Sequence, residues 1–497
     1  MDFLLQEAGV LFQLVSGHLL LWDLLFAVII VFFERRNPKS VWAWLLLLLF
    51  VPVLGFVLYL LVGQDFRKRK LFQLKGLEDR MSQMVRKQEH QIKNREFRNH
   101  QGEAEDFADL MMYNLETSGA LVSDNNKIDI FTDGNEKFDA LIEDMRKAEK
   151  FIHMQYYIIK NDVLFQRIAE VLKERAASGV QVRILYDGMG GRFTSAKCWK
   201  RLKEAGIESA EFFPPLFGRF QLRINYRNHR KIVVIDNKVA YVGGFNVGRE
   251  YIDLDEKFGH WRDTHLRIRG NAVLGLQLRF IMDWNYCAKE NLLERSELLE
   301  QADFLGKNEL PMDGEGCKVQ IISSGPDHPN EQIRDNYLKL ISAAKKSIYI
   351  QTPYFIPDEA IFAALKVAIY SGVDVHIMIP CKPDHPFVYW ATYSYIGEMV
   401  MAGAKCYTYD KGFLHSKGVI ADGKAFCYGT ANMDIRSFAL NFEVNATVYD
   451  EEKAREMEEL FQKDLEDCTR ITRDMYAGRS LWIRLRELVS RLLSPLM

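Results

Sequence analysis

Two short stretches of this chain carry the residue types that do phosphate chemistry, at one shared spacing. Asn228-His229-Arg230-Lys231 runs on to Asp236, and His415-Ser416-Lys417 runs on to Asp422; both read His-x-Lys-x4-Asp. Each is followed by a small-residue run that holds an asparagine, Gly243-Gly244-Phe245-Asn246 and Gly429-Thr430-Ala431-Asn432. One such match is within reach of chance; two in the same order, with the same sequel, are not. Two imidazoles can divide two jobs. A neutral one attacks phosphorus and forms a phosphohistidine. A protonated one gives its proton to the leaving alkoxide and later takes one from the acceptor alcohol. Lys231 and Lys417, with Asn246 and Asn432, can hold the non-bridging oxygens as charge builds. This set suits a phosphodiester. It calls for no metal and no cofactor, and the sequence contains no P-loop or dinucleotide-binding fingerprint.

The elements that position these groups are legible as a repeat. With residues 229–235 on a strand, His229 and Lys231 share a face. Asp236-Asn237-Lys238 is a turn, and residues 239–242 form the return strand. His415 and Lys417 share a face in the same way, and Asp422-Gly423 makes the second turn. The motif aspartates are expected to brace these hairpins. Residues 151–158 match 347–356 around Gln155 and Gln351. Each of these stretches follows a helix-like segment, and each is followed by a helix ending at Ser-Gly-Val and then by an apolar strand. Strands alternating with helices predict α/β units on a largely parallel sheet. Two such units predict a pseudo-twofold bilobal domain, in which both motifs face one cavity. Asp263 and Glu443 stand at matching places after the two motifs and are the expected carboxylate partners of the imidazoles.

The doubled motif resembles the phospholipase D superfamily, in which two such motifs make one active site. Further residues narrow the resemblance to the bacterial cardiolipin synthases. They are Glu34-Arg35-Arg36-Asn37-Pro38, Gln155-Tyr156-Tyr157, Trp261-Arg262-Asp263, Gln351-Thr352-Pro353-Tyr354-Phe355 and Gly412-Phe413-Leu414 before His415. The match covers nearly the whole chain. It implies a catalytic set of His229, Lys231, Asp236, His415, Lys417 and Asp422, with His229 attacking first. It also implies a transphosphatidylation: two phosphatidylglycerol molecules give cardiolipin and glycerol. Hydrolysis by the same phosphohistidine is the alternative reading, since the motif does not choose the acceptor.

The remaining sequence supplies a lipid setting. Residues 8–33 and 41–61 are apolar and long enough to cross a ~30 Å hydrocarbon core, so a two-helix membrane hairpin is expected over residues 1–63. Residues 64–100 hold 11 Lys and Arg against 5 Asp and Glu, a basic collar suited to anionic headgroups within a juxtamembrane linker spanning residues 64–118. The first repeat is placed at residues 119–305 and the second at 306–470, joined within a charged stretch at 290–313. Residues 471–497 form a basic amphipathic helix. Residues 212–217, with Arg219, Arg223, Arg227 and Arg230, suggest an apolar, cationic mouth. The expected partners are phosphatidylglycerol, cardiolipin and the bilayer, at the cell membrane with the catalytic domain on the cytoplasmic side. A net charge of -2 over 497 residues counts against nucleic acid. Seven scattered cysteines argue for neither a disulfide framework nor a zinc site.

Overall fold

The computed structural model describes residues 19–33, 38–51, 54–59, 78–93, 106–214, 226–292, 316–382 and 384–493. The chain divides into two compact units: residues 1–69 with 215–226, and residues 70–214 with 227–497.

In the first unit α1 (Leu19–Phe33), α2 (Pro38–Phe50) and α3 (Leu54–Leu58) are helices of 15, 13 and 5 residues. Ile30, Trp44, Leu48 and Tyr59 bury together, and Phe26 stacks on Phe56 with ring centroids 3.9 Å apart. Leu24, Val28, Phe32, Leu46, Leu49 and Phe50 stay exposed. Among the described residues no helix is long and apolar enough to cross a membrane, whereas a crossing needs about 20 apolar residues. The two-helix membrane hairpin expected over residues 1–63, spanning or re-entrant, is therefore not confirmed by these residues. α2 stops ahead of Pro52, whose ring disfavours a helical residue before it. Residues 1–18, 34–37, 52–53 and 60–77, with the basic residues at 67–70, lie outside the described residues.

The second unit opens with α4 (Glu78–Lys93) and α5 (Ala108–Ser118). The first repeat follows: β1 (Ser123–Phe131), α6 (Gly134–Arg146), β2 (Phe151–Tyr156), α7 (Val163–Ala177), β3 (Gln181–Asp187), α8 (Ala196–Glu204), β4 (Glu208–Phe212), β5 (Arg227–Asn228), β6 (Ile232–Ile235), β7 (Val239–Gly243), β8 (His260–Arg262), β9 (His265–Arg269) and α9 (Val273–Ala288). The second is β10 (Cys317–Ser324), α10 (Gln332–Ala343), β11 (Ser347–Gln351), β12 (Phe355–Ile356), α11 (Glu359–Tyr370), β13 (Asp374–Pro380), α12 (Pro386–Ala402), β14 (Lys405–Tyr409), β15 (Gly412–Leu414), β16 (Gly418–Ala421), β17 (Ala425–Gly429), β18 (Met433–Asp434), α13 (Ile435–Ala439), β19 (Asn441–Tyr449), α14 (Glu451–Leu465), β20 (Cys468–Ile471), α15 (Arg473–Ala477) and α16 (Leu481–Leu493).

Local chemistry starts and stops corresponding elements alike. Asp162 and Asp358 cap α7 and α11 by accepting from Leu164 N at 3.1 Å and Ile361 N at 2.9 Å. Both helices end at a glycine in the left-handed region, Gly179 at φ 91° and Gly372 at φ 92°. The chain then feeds straight into β3 or β13.

One sheet runs through both repeats in the order β20-β14-β13-β11-β16-β17-β19-β10-β1-β9-β7-β6-β2-β3-β4. It is nearly symmetric about its middle. The seam is the antiparallel pair β1·β10, with Asn126 opposite Cys317; on either side β9 matches β19, β7 matches β17 and β6 matches β16. The sheet is mixed, not largely parallel. Along this path, among the described residues, only β2·β3, β3·β4, β11·β13 and β13·β14 pair in parallel. These are the places where a helix supplies the crossover; the motif hairpins β6·β7 and β16·β17 insert antiparallel strands between them and the seam. α5 buries Leu110, Met111 and Leu115 in the core of the second repeat, and its Asn114 donates to Asn336 at 2.9 Å. The end of the basic linker is thus part of a core. The join at residues 293–315 lies outside the described residues.

Candidate active site

Each motif histidine sits where the chain crosses from one repeat to the other. β5, just before His229, pairs in parallel with β19 of the second repeat. β15, just before His415, pairs in parallel with β8 of the first. The histidine backbones continue these ladders: His229 N donates to Phe442 O at 2.9 Å and His415 N to Arg262 O at 2.7 Å. Residues 229–231 and 415–417 therefore precede β6 and β16 instead of belonging to them, which corrects the sequence-based strand. The crossing brings each imidazole against the next residue of the partner strand. His229 Nδ1 lies 3.0 Å from both carboxylate oxygens of Glu443, and His415 Nδ1 lies 2.6 Å from Asp263 Oδ2. Each histidine is thus paired with a carboxylate from the opposite repeat. Nδ1–H donates to the carboxylate, which leaves Nε2 with a free lone pair.

The lysines close the constellation. Lys231 Nζ donates to the His229 carbonyl at 2.7 Å, and Lys417 Nζ donates to the His415 carbonyl while lying 3.6 Å from Asp263 Oδ2. Lys231 also feels Glu443, Lys417 and Asp263, so side chains of both motifs share one electrostatic environment. Burial dominates it. Both lysines are at most 1% exposed. Burial brings Lys231 down to about 7 and Lys417 to about 8, the carboxylates opposing the shift. Burial, helped by Lys417, lowers His415 to about 4. Burial likewise lowers His229, with Glu443 opposing. Asp263 and Glu443 stay below their ordinary range: burial pushes them up, and Lys417 and His415 on one, His229 and Lys231 on the other, pull them down further. Burial thus favours the neutral form of both imidazoles and both lysines, and an arriving anion favours the charged form.

The two halves are alike but not interchangeable. Thr430 Oγ1 donates to Glu443 Oε2 at 2.6 Å and Asn441 Nδ2 to Oε1 at 3.2 Å. Gly244 stands where Thr430 stands in the other half, and a Cβ there would come 1.9 Å from Asp263 Oδ1. Beneath each histidine lies a buried arginine–aspartate bond. Arg230 reaches Asp283 at 2.9 and 2.7 Å and lies 5.3 Å from the Phe442 ring centroid. Arg262 reaches Asp464 at 2.9 and 2.7 Å. Gln155 and Gln351 donate to these aspartates at 2.7 Å each, so they brace the site from below. Both arginines come from the first repeat; Ser416 and Phe442 occupy the matching places in the second. Arg230 and Arg227 are 1% and 5% exposed and do not form the cationic mouth read from the sequence; residues 215–225 lie outside the described residues. Asn246 is engaged, accepting from Ile158 N and donating to Tyr251, whereas the buried amide oxygen of Asn432 has no hydrogen-bond partner. Tyr157 and Trp261, read in the sequence as marks of the family resemblance without a place at the site, flank the histidines: the Tyr157 ring centroid is 5.0 Å from that of His229 and Trp261 is 5.2 Å from His415. Among the described residues one trio, Asp133, Asp253 and His260, has the spacing to hold a cation; its atoms are already engaged in a helix cap and a turn.

The motif aspartates point away from this chemistry. Asp236 accepts from the backbone N–H groups of Glu149, Lys150 and Phe151 at 2.7–2.9 Å. Asp422 accepts from Lys345, Lys346 and Ser347 at 2.7–2.9 Å. Each ties its hairpin to the turn entering β2 or β11. Hydrogen bonds to a charged group contribute about 1.5–3 kcal/mol each, so Asp236→Ala is expected to destabilise the fold by about 2–4 kcal/mol in urea unfolding. Asp236→Asn tolerates the left-handed turn and should cost less. Both should keep kcat per folded molecule within about threefold, well short of the loss of a general acid–base group. A hundredfold loss of kcat without loss of stability would put the carboxylate on substrate instead.

A family model described as "Cardiolipin synthase, PLD-like domain" matches residues 141–259 and 337–465, one segment in each repeat. A model described as "Phospholipase_D-nuclease N-terminal" matches residues 22–64. The cardiolipin synthase of Oceanobacillus iheyensis is 45% identical over 490 residues, covering 98% of this chain and 99% of its own. The major cardiolipin synthase of Bacillus subtilis is 46% identical over 481 residues, covering 96% and 97%. A solved phosphatidylserine synthase from Haemophilus influenzae shares the fold at a TM-score of 0.57 and 16% identity, covering 74% of this chain and 92% of that one.

Proposed function

The chain belongs to the cardiolipin synthase family of phospholipase D-like proteins, and from that premise we propose that it is a phosphatidyltransferase that joins two phosphatidylglycerol molecules. The observation that carries the reading is the crossed pairing of His229 with Glu443 and His415 with Asp263. It brings two imidazoles and two lysines to one place, each imidazole with its Nε2 lone pair available.

In the first half-reaction His229 Nε2 attacks phosphorus. A phosphorus–nitrogen bond forms, the phosphorus–oxygen bond to the glycerol headgroup breaks, and His415 hands that oxygen a proton. The bound phosphodiester raises the proton affinity of His415 by adding negative charge beside it. In the second half-reaction the free hydroxyl of another phosphatidylglycerol gives its proton to His415 and attacks phosphorus. The phosphorus–nitrogen bond breaks and cardiolipin leaves. One diester replaces another, so no nucleotide is consumed. Lys231 and Lys417 hold the non-bridging oxygens through both steps. Glu443 and Asp263 keep each Nδ1 protonated, and Asn432 offers an acceptor for a substrate hydroxyl. The exposed apolar faces of α1 and α2 support anchoring at the cell membrane.

Purified full-length protein, given vesicles of phosphatidylglycerol alone in excess chelator, is expected to form cardiolipin and glycerol in equal amounts. Phosphatidic acid as the main product would make the enzyme a hydrolase. Activity that vanishes in chelator would overturn the metal-free route.

A further inference from the structure

α16 carries its side chains in the reverse of the usual order for a helix docked on a folded body. Leu481, Trp482, Leu485, Leu488, Val489 and Leu492 form one stripe at helical spacing, and all are exposed, Leu481 at 81% and Leu492 at 80%. The inward face is polar: Glu487 is 3% and Ser490 1% exposed. Glu487 accepts from Arg479 Nε at 2.8 Å, and Arg491 pairs with Glu398 of α12 and lies 4.5 Å from the Tyr395 ring centroid. Polar bonds therefore hold the helix to α12 and turn its apolar stripe outward.

Two further observations say what that stripe meets. The exposed Arg484 and Arg486 fall on opposite borders of the stripe at about 3.6 residues per turn, where long cationic side chains reach anionic headgroups while the apolar residues enter the acyl boundary. The start of α12 also leads toward the candidate active site. Arg486 lies 5.5 Å from the ring centroids of both Trp482 and Trp390. Trp390 belongs to the first turn and a half of α12, next to the exposed Phe387. Asp384, two residues before α12, bonds to Tyr354, and its charge reaches Lys417.

We propose that α16 and the start of α12 form a docking surface for an anionic lipid bilayer, which sets the reactive lysines and histidines at headgroup level. The proposal rests on the lipid-substrate reading above and specifies how that substrate is presented.

Two measurements on the full-length protein test it. In vesicles of phosphatidylglycerol and phosphatidylcholine, acyl-brominated lipid should quench the fluorescence contributed by Trp482, taken as the difference between the parent and Trp482→Phe. No quenching of that contribution overturns the proposal, and concentration-dependent burial of Trp482 without lipid would assign the face to a second copy of the chain. In the kinetic arm, the triple variant Leu485→Ser, Leu488→Ser, Leu492→Ser should lose about tenfold in rate on phosphatidylglycerol vesicles. It should keep the parental rate on short-chain phosphatidylglycerol dispersed as monomers. Equal loss on both forms makes α16 a structural strut, and no loss on either removes it from lipid capture; each outcome overturns the proposal. If the parent makes no cardiolipin from either form, the enzymatic reading fails while the quenching still decides the docking.

Discussion

Replacing His229 by alanine is expected to lower cardiolipin formation by about 10⁴-fold or more, since both half-reactions lose their nucleophile. No phosphatidyl-enzyme should then be trapped by acid quench. His415→Ala should lower turnover by about 10²–10⁴-fold, the range for loss of a general acid–base group, with slowed formation or slowed breakdown of the trapped species. The double variant should be hardly worse than His229→Ala, because groups acting as one unit are not additive. Undiminished labelling of His229→Ala, with none in His415→Ala, would reverse the two roles. Both imidazoles are lowered by burial, His415 to about 4, so charge in the resting state alone does not assign them. The labelling experiment does.

The second large effect belongs to the crossed carboxylates. Glu443→Gln keeps the shape but puts a carboxamide against His229 Nδ1, so the tautomer is no longer enforced. Asp263→Asn does the same to His415. Each should cost about 10³–10⁴-fold in kcat, the scale seen when the carboxylate behind a catalytic imidazole becomes an amide, with a smaller change in KM. Alanine should be worse for a different reason. Glu443→Ala would leave Lys231, fully buried, without the carboxylate that most opposes the effect of its burial, and an uncompensated buried charge costs several kcal/mol. Glu443→Ala should therefore unfold at markedly lower urea, while Glu443→Gln, with Thr430 and Asn441 still beside it, should not. Full activity in either amide variant would show that the imidazoles do not need these partners.

The crossing also marks where sequence reading ended. The doubled spacing, the helix–strand units ending at Ser-Gly-Val and the hairpins after each motif are local signals, and the fold contains each of them. Asp263 and Glu443 were legible by their matching places. Which histidine each one serves was not, because that depends on β5 and β15 leaving their own repeat, and a strand of two or three residues has no period to detect. The mixed sheet was hidden for a related reason: the β1·β10 seam joins residues far apart in sequence, as the Lys318–Asp124 bond beside it does across 194 positions. The reading of Arg230 as a surface cation failed because an arginine looks exposed in sequence until a buried carboxylate is found for it. Asp283 lies 53 residues away on a helix with no other sign of that role.

Those arginines bear on how the protein is assembled. Asp283 already takes Arg230 and Arg279; two identical first repeats facing each other would add an Arg262 to each such aspartate, three guanidiniums for one carboxylate. Two identical second repeats, with Ser416 and Phe442 in those places, would leave each buried aspartate with no cation at all. Either error strands an uncompensated charge in the interior, which costs several kcal/mol. The two repeats are thus not interchangeable: each half accepts only its unlike sister.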